Sequence, residues 1–398
     1  MNTNVNICML AYSFYETDGR IRKYAETLSK KGIKVDVVAL RNPEQTYFDI
    51  LNGVYLYRIQ ERILDEKHKL SFLYRLVKFF IKSSLFLIKN HRKNPYDIIH
   101  VHSVPDFEVF ATLYSKILGS KVILDIHDPV PDFFSAKFGY KNSSVYFRAL
   151  QLIEKYSSFY ADHVITVTDY WRDVIKRRSQ IPNGKITTIV NFPDIELFNP
   201  NTTPAARRSD DDFILLYPGT LNKHCGVDIV ITALSTIKEE IPNIKLRIYG
   251  NGSELRKLQS LVAYYALEKF VTFNTPIPLQ DVPVVMKDSD VGIALLTGTS
   301  TYSNQALNVK LFEFLAMGLP AIATKAASIE YYLGNNVAML SNVNDQEDVA
   351  RCIRELYRNP GKREELKKAG LKYIEKNNWQ SQIDTYMNII NSLLEKTD

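Results

Sequence analysis

The pattern that most restricts this chain is an alternation that runs twice. Short apolar runs separated by helical periodicity occur at residues 5–12, 34–40, 98–101, 122–126, 164–167 and 186–190. The same rhythm restarts at 213–217, 245–250, 271–273, 291–295 and 321–324. Runs this short and this continuously apolar suit strands covered on both faces, and the helices between them supply the cover of a parallel sheet. One such helix, from about residue 20 to 31, stops at Gly32, where a glycine ends helices most easily. The tail from Asp345 reads as nearly all helix.

The 398 residues are enough for two such domains. The expected fold is α/β, with two doubly wound domains at 1–200 and 201–378 and a final helix, 379–398, crossing back to the first. The boundary is the polar stretch 202–212, with Pro204, Arg207, Arg208 and the aspartates 210–212. Charge runs of this kind are usually solvated, so the aspartates read as linker rather than metal site. In such sheets ligands bind outside the carboxyl ends of the strands, which places the expected ligand in a cleft between the domains.

Composition narrows the partners. Fifty basic against 44 acidic side chains leave a net charge of +6, too small to argue nucleic-acid binding and compatible with anionic partners such as diphosphates. Cys8, Cys225 and Cys352 are far apart, which argues against a disulfide framework and for a reducing compartment. The start lacks the basic lead of an export signal, and no apolar stretch is long enough to cross a bilayer. A cytoplasmic protein is expected, peripheral at the inner face of the cell membrane.

Three turns look suited to a phosphorylated ligand: Asp18-Gly19-Arg20, Tyr217-Pro218-Gly219-Thr220-Leu221, and Tyr249-Gly250-Asn251-Gly252-Ser253. Glycine lets backbone approach a ligand, and helix N-termini offer amides to anions. The densest signal is Gln305-Ala306-Leu307-Asn308-Val309-Lys310-Leu311-Phe312-Glu313, continuing to Pro320. On this stretch, and on Asp18–Arg22, 97–102, 125–129, 191–194 and 219–226, the chain resembles the GT-B glycosyltransferases of family 4, which are retaining enzymes of the kind that build bacterial surface polysaccharides, lipopolysaccharide or capsule.

That resemblance implies a nucleotide-sugar donor in the second domain and no bound metal or other cofactor. It implies that Glu313 binds the ribose hydroxyls and that the amides of Leu307, Asn308 and Val309 face the diphosphate or sugar. It implies that His127 contacts the transferred sugar. The family commonly has an arginine and a lysine where this chain has Thr220 and Cys225, and a first glutamate where it has Gln305. Breaking the sugar–phosphate bond builds negative charge on the leaving diphosphate, so a cation is needed there. Lys310, on one helix face with Glu313, is the expected substitute; Lys223 and Arg20 are further candidates. Gly19, Gly219, Asn251 and Gly252 complete the expected donor contacts. His100 and His102 share one strand face and read as packing residues, and Asp288-Ser289-Asp290 reads as structural.

Residues 67–93 hold no acidic side chain, and Arg75, Lys78, Lys82 and Lys89 form one helical stripe opposite Leu70, Leu73, Val77, Phe80, Ile81, Leu87 and Ile88. A basic amphipathic helix suits an anionic membrane surface, equally a helix covering the sheet. On the membrane reading the acceptor is a glycan or polyprenyl-diphosphate-linked sugar. The expected function is transfer of a hexosyl or N-acetylhexosaminyl unit from a nucleoside-diphosphate sugar, with no nucleic-acid partner. A nucleotide-sugar epimerase of the same fold and a nucleotide-sugar-binding protein without turnover are the alternatives.

Overall fold

A computed structural model describes residues 5–62, 69–138, 144–204, 211–298 and 300–395. Arg207, Arg208 and Asp210 of the polar stretch, and Lys67 of the basic segment, lie outside the described residues. The chain forms two units, Met1–Asn191 with Gln382–Asp398, and Phe192–Ser381.

In the first unit, β1 (Asn6–Ala11) leads through α1 (Gly19–Lys30) to β2 (Lys34–Arg41). An antiparallel pair follows, β3 (Phe48–Leu51) and β4 (Val54–Glu61). Then come α2 (Lys69–His91), β5 (Ile98–His102), a short helical segment Asp106–Thr112 running into α3 (Leu113–Ile117), and β6 (Lys121–Ile126). The unit continues through α4 (Val130–Phe138), α5 (Val145–Tyr160), β7 (His163–Thr166), α6 (Asp169–Ser179) and β8 (Ile186–Thr188). The sheet order is β3-β4-β2-β1-β5-β6-β7-β8, parallel except at β3. The sequence reading assigns no strands to residues 48–61. Their turn is Asn52-Gly53, both at positive φ (51° and 78°), the pairing that two-residue hairpins favour.

The second unit alternates β9 (Phe213–Pro218), α7 (Val227–Ile237), β10 (Ile244–Tyr249), α8 (Leu255–Tyr264), β11 (Val271–Asn274), α9 (Val282–Lys287) and β12 (Val291–Ala294). It then runs α10 (Thr301–Gln305), α11 (Val309–Ala316), β13 (Ala321–Thr324), α12 (Ala327–Leu333), β14 (Met339–Ser341), α13 (Gln346–Arg358) and α14 (Pro360–Ile374). The last helix, α15 (Trp379–Glu395), belongs from Gln382 onward to the first unit. Its sheet order is β11-β10-β9-β12-β13-β14, wholly parallel. Strand order reverses between β1 and β5 in one unit and between β9 and β12 in the other. Right-handed crossovers put helices on both faces of such sheets, and the reversal opens a crevice at the carboxyl ends of the strands. The strands are dry: Leu215, Leu246 and Ile293 are fully buried, as are Ile7, Val38 and Ile99.

Several polar residues singled out in the sequence hold this scaffold. Arg247 donates to Asp288 at 2.5 Å, and Asp290 accepts the Ile214 amide at 2.8 Å. Gly250 and Gly252 allow two turns to interlock. A Cβ on either would run into the backbone of Gly219 or Leu221, while the Gly219 and Leu221 amides donate to Tyr249 and Asn251 carbonyls at 2.8 and 2.9 Å.

Candidate functional sites

Each unit gathers reactive side chains at the carboxyl ends of its central strands. In the second unit the focus is the turn after β9. Gly219 sits at φ +142°, and a Cβ there would lie 2.8 Å from the Lys310 ammonium; its bare backbone makes room for that cation. Lys310 is the second residue of α11, whose N-cap is Asn308; the Asn308 side chain accepts from the Lys310 amide at 3.2 Å. The half-buried Lys310 side chain reaches back to β9. Its Nζ donates to Tyr217 Oη at 3.1 Å and lies 4.3 Å from the centroid of that ring. Tyr217 in turn donates to the Thr220 carbonyl at 2.7 Å.

Burial lowers the Lys310 pKa, opposed by the Cys225 thiol and the Glu313 carboxylate. Burial works to raise Cys225, yet hydrogen bonds with His224 and Tyr217 and the Lys310 charge outweigh it and hold the thiol at about 7. The turn after β9 therefore carries an acidic thiol at Cys225 beside the Lys310 ammonium. The sequence reading missed Tyr217 as a partner and Cys225 as a titrating group.

The remaining predicted donor residues surround this centre or border it. Thr220, Lys223 and Asn251 are exposed on the two glycine turns, and Gln305 ends α10 half-buried. Leu307 and Val309 flank the Asn308 cap at the head of α11, and Glu313 is one helical turn further on. Gly252 belongs to the same turns, but its lack of a side chain is explained by packing against Leu221.

In the first unit, Asp125 on β6 is the hub. Arg20 donates to it twice, from Nε at 3.0 Å and from a terminal nitrogen at 2.5 Å. Arg20 is 6% exposed and Asp125 fully buried. Arg20 is thus not available as a cation for a diphosphate, because a carboxylate 105 residues along the chain already occupies its guanidinium. At the Asp18-Gly19-Arg20 turn two of the amides at the start of α1 are likewise engaged within the chain. Asp18 caps α1 by accepting from the Arg20 and Ile21 amides, taking donors that an anion would need, and Gly19 simply begins the helix.

Three histidines surround Asp125. His127, on the bend after β6, has its Nε2 3.1 Å from His102 Nδ1 and 3.4 Å from Asp125 Oδ2. His100 and His102 stack at 4.2 Å on β5. His100 Nδ1 is 3.0 Å from the Tyr386 hydroxyl of α15, and Tyr24 of α1 packs edge-on against His100. Burial would raise the Asp125 pKa, but Arg20 first, then His127 and hydrogen bonds from His100 and His102, hold it well below the carboxylate range. Burial drives His100 down, and His102 well down, so both rings are neutral. Ligand atoms of His100, His102 and Asp125 lie within 4.8 Å of one another, but the charge a metal would bring to Asp125 is already supplied by Arg20. The clue to this hub in sequence was a lone carboxylate within the apolar run of β6, a residue type rarely buried without a partner.

The basic stripe of α2 is divided. Lys78 and Lys89 are exposed, while Arg75 is half-buried. Lys82 turns toward the sheet edge and donates to the Ile59 carbonyl at 2.7 Å, and burial lowers its pKa. The expected inward apolar set is divided too: Leu87 is buried, whereas Leu73, Val77 and Ile81 face solvent. No helix among the described residues is long and apolar enough to cross a membrane.

Comparison with known proteins agrees with this architecture. Residues 20–197 match the model of Glycosyltransferase Family 4, and residues 200–373 that of Glycosyl transferases group 1. EpsD of Bacillus subtilis is 27% identical over 73% of this chain and 76% of its own length. The chitobiosyldiphosphodolichol beta-mannosyltransferase of Debaryomyces hansenii is 22% identical over 89% of this chain and 80% of its own. Among solved structures, sucrose-phosphate synthase from Thermosynechococcus elongatus superposes with a TM-score of 0.77 at 19% identity, over 98% of this chain and all of that one. HepE of Anabaena, in complex with UDP and glucose, gives 0.71 at 14% identity, over 98% and 100%. With the two family models spanning nearly all of both units, the chain belongs to the family 4-like glycosyltransferases of the GT-B fold.

Proposed function

We propose that this enzyme transfers a hexosyl or N-acetylhexosaminyl unit from a nucleoside-diphosphate sugar to a lipid-linked glycan during surface-polysaccharide assembly, with retention and without a bound metal. The observation that carries the donor half is the Lys310 ammonium lodged between Gly219 and Tyr217 at the head of α11. As the bond from the anomeric carbon to the diphosphate oxygen breaks, the electron pair leaves with the diphosphate. A fixed cation and the amides of Leu307, Asn308 and Val309 lower that barrier most, because they stabilise charge that develops only in the transition state. Glu313, one turn along the same helix, accepts hydrogen bonds from the ribose diol. Thr220, Lys223 and Asn251 complete the rim of the nucleotide site.

His127 serves the sugar. Its Nε2 is directed to Asp125 and His102, which fixes the ring and leaves Nδ1 as the remaining polar nitrogen. As the acceptor oxygen bonds the anomeric carbon, its hydroxyl proton passes to the departing diphosphate oxygen, which carries the electron pair of the broken bond. The complex of HepE with UDP supports a nucleoside-diphosphate donor. The dolichol-diphosphate acceptor named for the yeast relative supports a lipid-linked acceptor. The epimerase and non-catalytic alternatives draw no support from relatives named as transferases.

The test is thermal stabilisation by a panel of nucleoside diphosphates and their sugars, with and without chelator. A ligand bound only by the folded chain raises the melting temperature by mass action. A shift with one diphosphate, unchanged by chelator, is expected; no shift with any nucleotide would overturn the donor site.

A further inference from the structure

We infer that the outer face of α2, α3 and α5 is an interfacial docking surface for an anionic lipid bilayer. This deepens the lipid-linked acceptor reading, on which it rests, by naming the surface that meets the membrane.

α2 packs beside α3, and the segment Asp106–Thr112 touches α2, α3 and α5, joining the three helices into one layer. Phe80 meets Phe107 at 6.0 Å and Phe110 meets Tyr160 at 5.1 Å, so the layer is continuous across that segment. Each helix turns large apolar side chains outward at helical spacing. Val77, Ile81 and Leu85 recur every fourth residue on α2, and Leu152, Tyr156 and Phe159 recur at spacings of four and three on α5. Leu85 is 61% exposed, Phe159 70% and Ile117 of α3 76%. Scattered exposed apolar residues are ordinary; two exposed apolar stripes in one helical layer, with Ile117 of α3 beside them, are an interaction surface.

The charges identify what it meets. In soluble proteins carboxylates face water, but here the arrangement is inverted. These helices and the segment between them contain three acidic side chains, Asp106, Glu108 and Glu154. All three point inward, at 2%, 0% and 0% exposure. The exposed charges beside the stripes are basic: Lys78 and Lys89 on α2 and Arg148 on α5. An outward face of apolar stripes, basic flanks and no exposed carboxylate matches an anionic lipid surface, where apolar side chains enter the headgroup boundary and lysines and arginines meet phosphate. A second protein of ordinary mixed charge would find no acidic rim here to pair with its own basic groups.

The experiment is co-sedimentation of the full chain with phosphatidylcholine vesicles, with and without phosphatidylglycerol. Binding that grows with phosphatidylglycerol is expected. The combined Leu85→Gln, Ile117→Gln and Phe159→Gln variant should partition roughly tenfold or more weakly, since each side chain loses apolar burial. Lys78→Glu with Arg148→Glu should remove the phosphatidylglycerol increment. Both variants should keep the wild-type melting temperature and the wild-type response to nucleoside diphosphates, so a failure here is separable from a failure of the donor site. Absent wild-type binding, or partition unchanged in the glutamine variant, would overturn the inference. So would a concentration-dependent dimer in vesicle-free buffer that the glutamine variant abolishes, which would give the face to a second copy of the chain.

Discussion

The Lys310 ammonium lies 3.1 Å from the Tyr217 hydroxyl and 4.3 Å from the centroid of the same ring. The contact fixes a helix-borne cation against the turn after the first strand of the second unit. A charge held over an aromatic face, half-buried and near a thiol, keeps its position without a long-lived carboxylate clamp, so it remains available to an incoming diphosphate.

Removing that cation should cost turnover more than fold. Lys310→Met keeps the apolar stem against Tyr217 and deletes the charge. Loss of one transition-state donor typically costs about 10²–10³ in kcat, and that range is expected for glycosyl transfer, with the melting temperature little changed. Lys310→Arg should restore part of the rate. Equal kcat in wild type and Lys310→Met would refute the role of Lys310 at the diphosphate.

Cys225 should be the one thiol that ionises near neutrality. Burial pushes Cys8 well above the usual thiol range and Cys352 up to about 12, whereas Cys225 is held at about 7. Following thiolate absorbance against pH should show a single midpoint near 7. In Lys310→Met the midpoint should move upward, because the thiolate loses a neighbouring cation. A midpoint unmoved by that substitution would mean the Lys310 charge does not reach the thiol.

The buried carboxyls beneath α2 and α5 should make the first unit less stable in alkali. Burial pushes Glu108 up to about 8, with the Ser83 hydroxyl opposing, and Glu154 up to about 8 against the pull of Arg178. Both folded values exceed the unfolded value near 4.5. The native state therefore binds more protons between the two, and stability is full below about 4.5 and lost as pH rises through about 8. Glu108→Gln removes the ionisation, and urea unfolding should show it more stable than wild type at pH 9 by about 1–3 kcal/mol. A wild-type stability that rises between pH 5 and 9 would contradict the sign.

The alternating strands and the 305–320 motif were legible because each depends on residues close together in sequence. The carboxyl ends of β9 and β12, and with them the candidate site, followed from that alternation. The Asn52-Gly53 hairpin was also written locally, in a turn pair at positive φ, yet its strands are half-polar and lack the continuous apolar run that marks the others. What sequence could not supply was pairing at a distance. Arg20 looks like an exposed cation at a helix start until Asp125 arrives beside it, and Lys310 gives no sign that its ammonium returns to Tyr217. Lys82 and Ile81 are neighbours whose directions reverse expectation, because helical periodicity gives the faces of α2 but not which face the sheet receives.

The Arg20–Asp125 pair separates scaffold from chemistry, and its variants should diverge from those of His127. Both partners are buried, and deleting one leaves an unpaired charge, which typically costs about 3–5 kcal/mol. Arg20→Met should therefore lower the urea midpoint sharply, with any loss of activity following the loss of folded protein. Arg20→Lys should recover little, because an ammonium cannot reproduce two parallel N–H bonds to one carboxylate. His127 is 21% exposed at its side chain and lies at the outer edge of the cluster, so His127→Ala should leave the urea midpoint within about 1 kcal/mol of wild type while lowering kcat about 10²-fold or more. If His127→Ala destabilises as strongly as Arg20→Met and the remaining folded fraction turns over normally, His127 belongs to the scaffold and the sugar is held elsewhere.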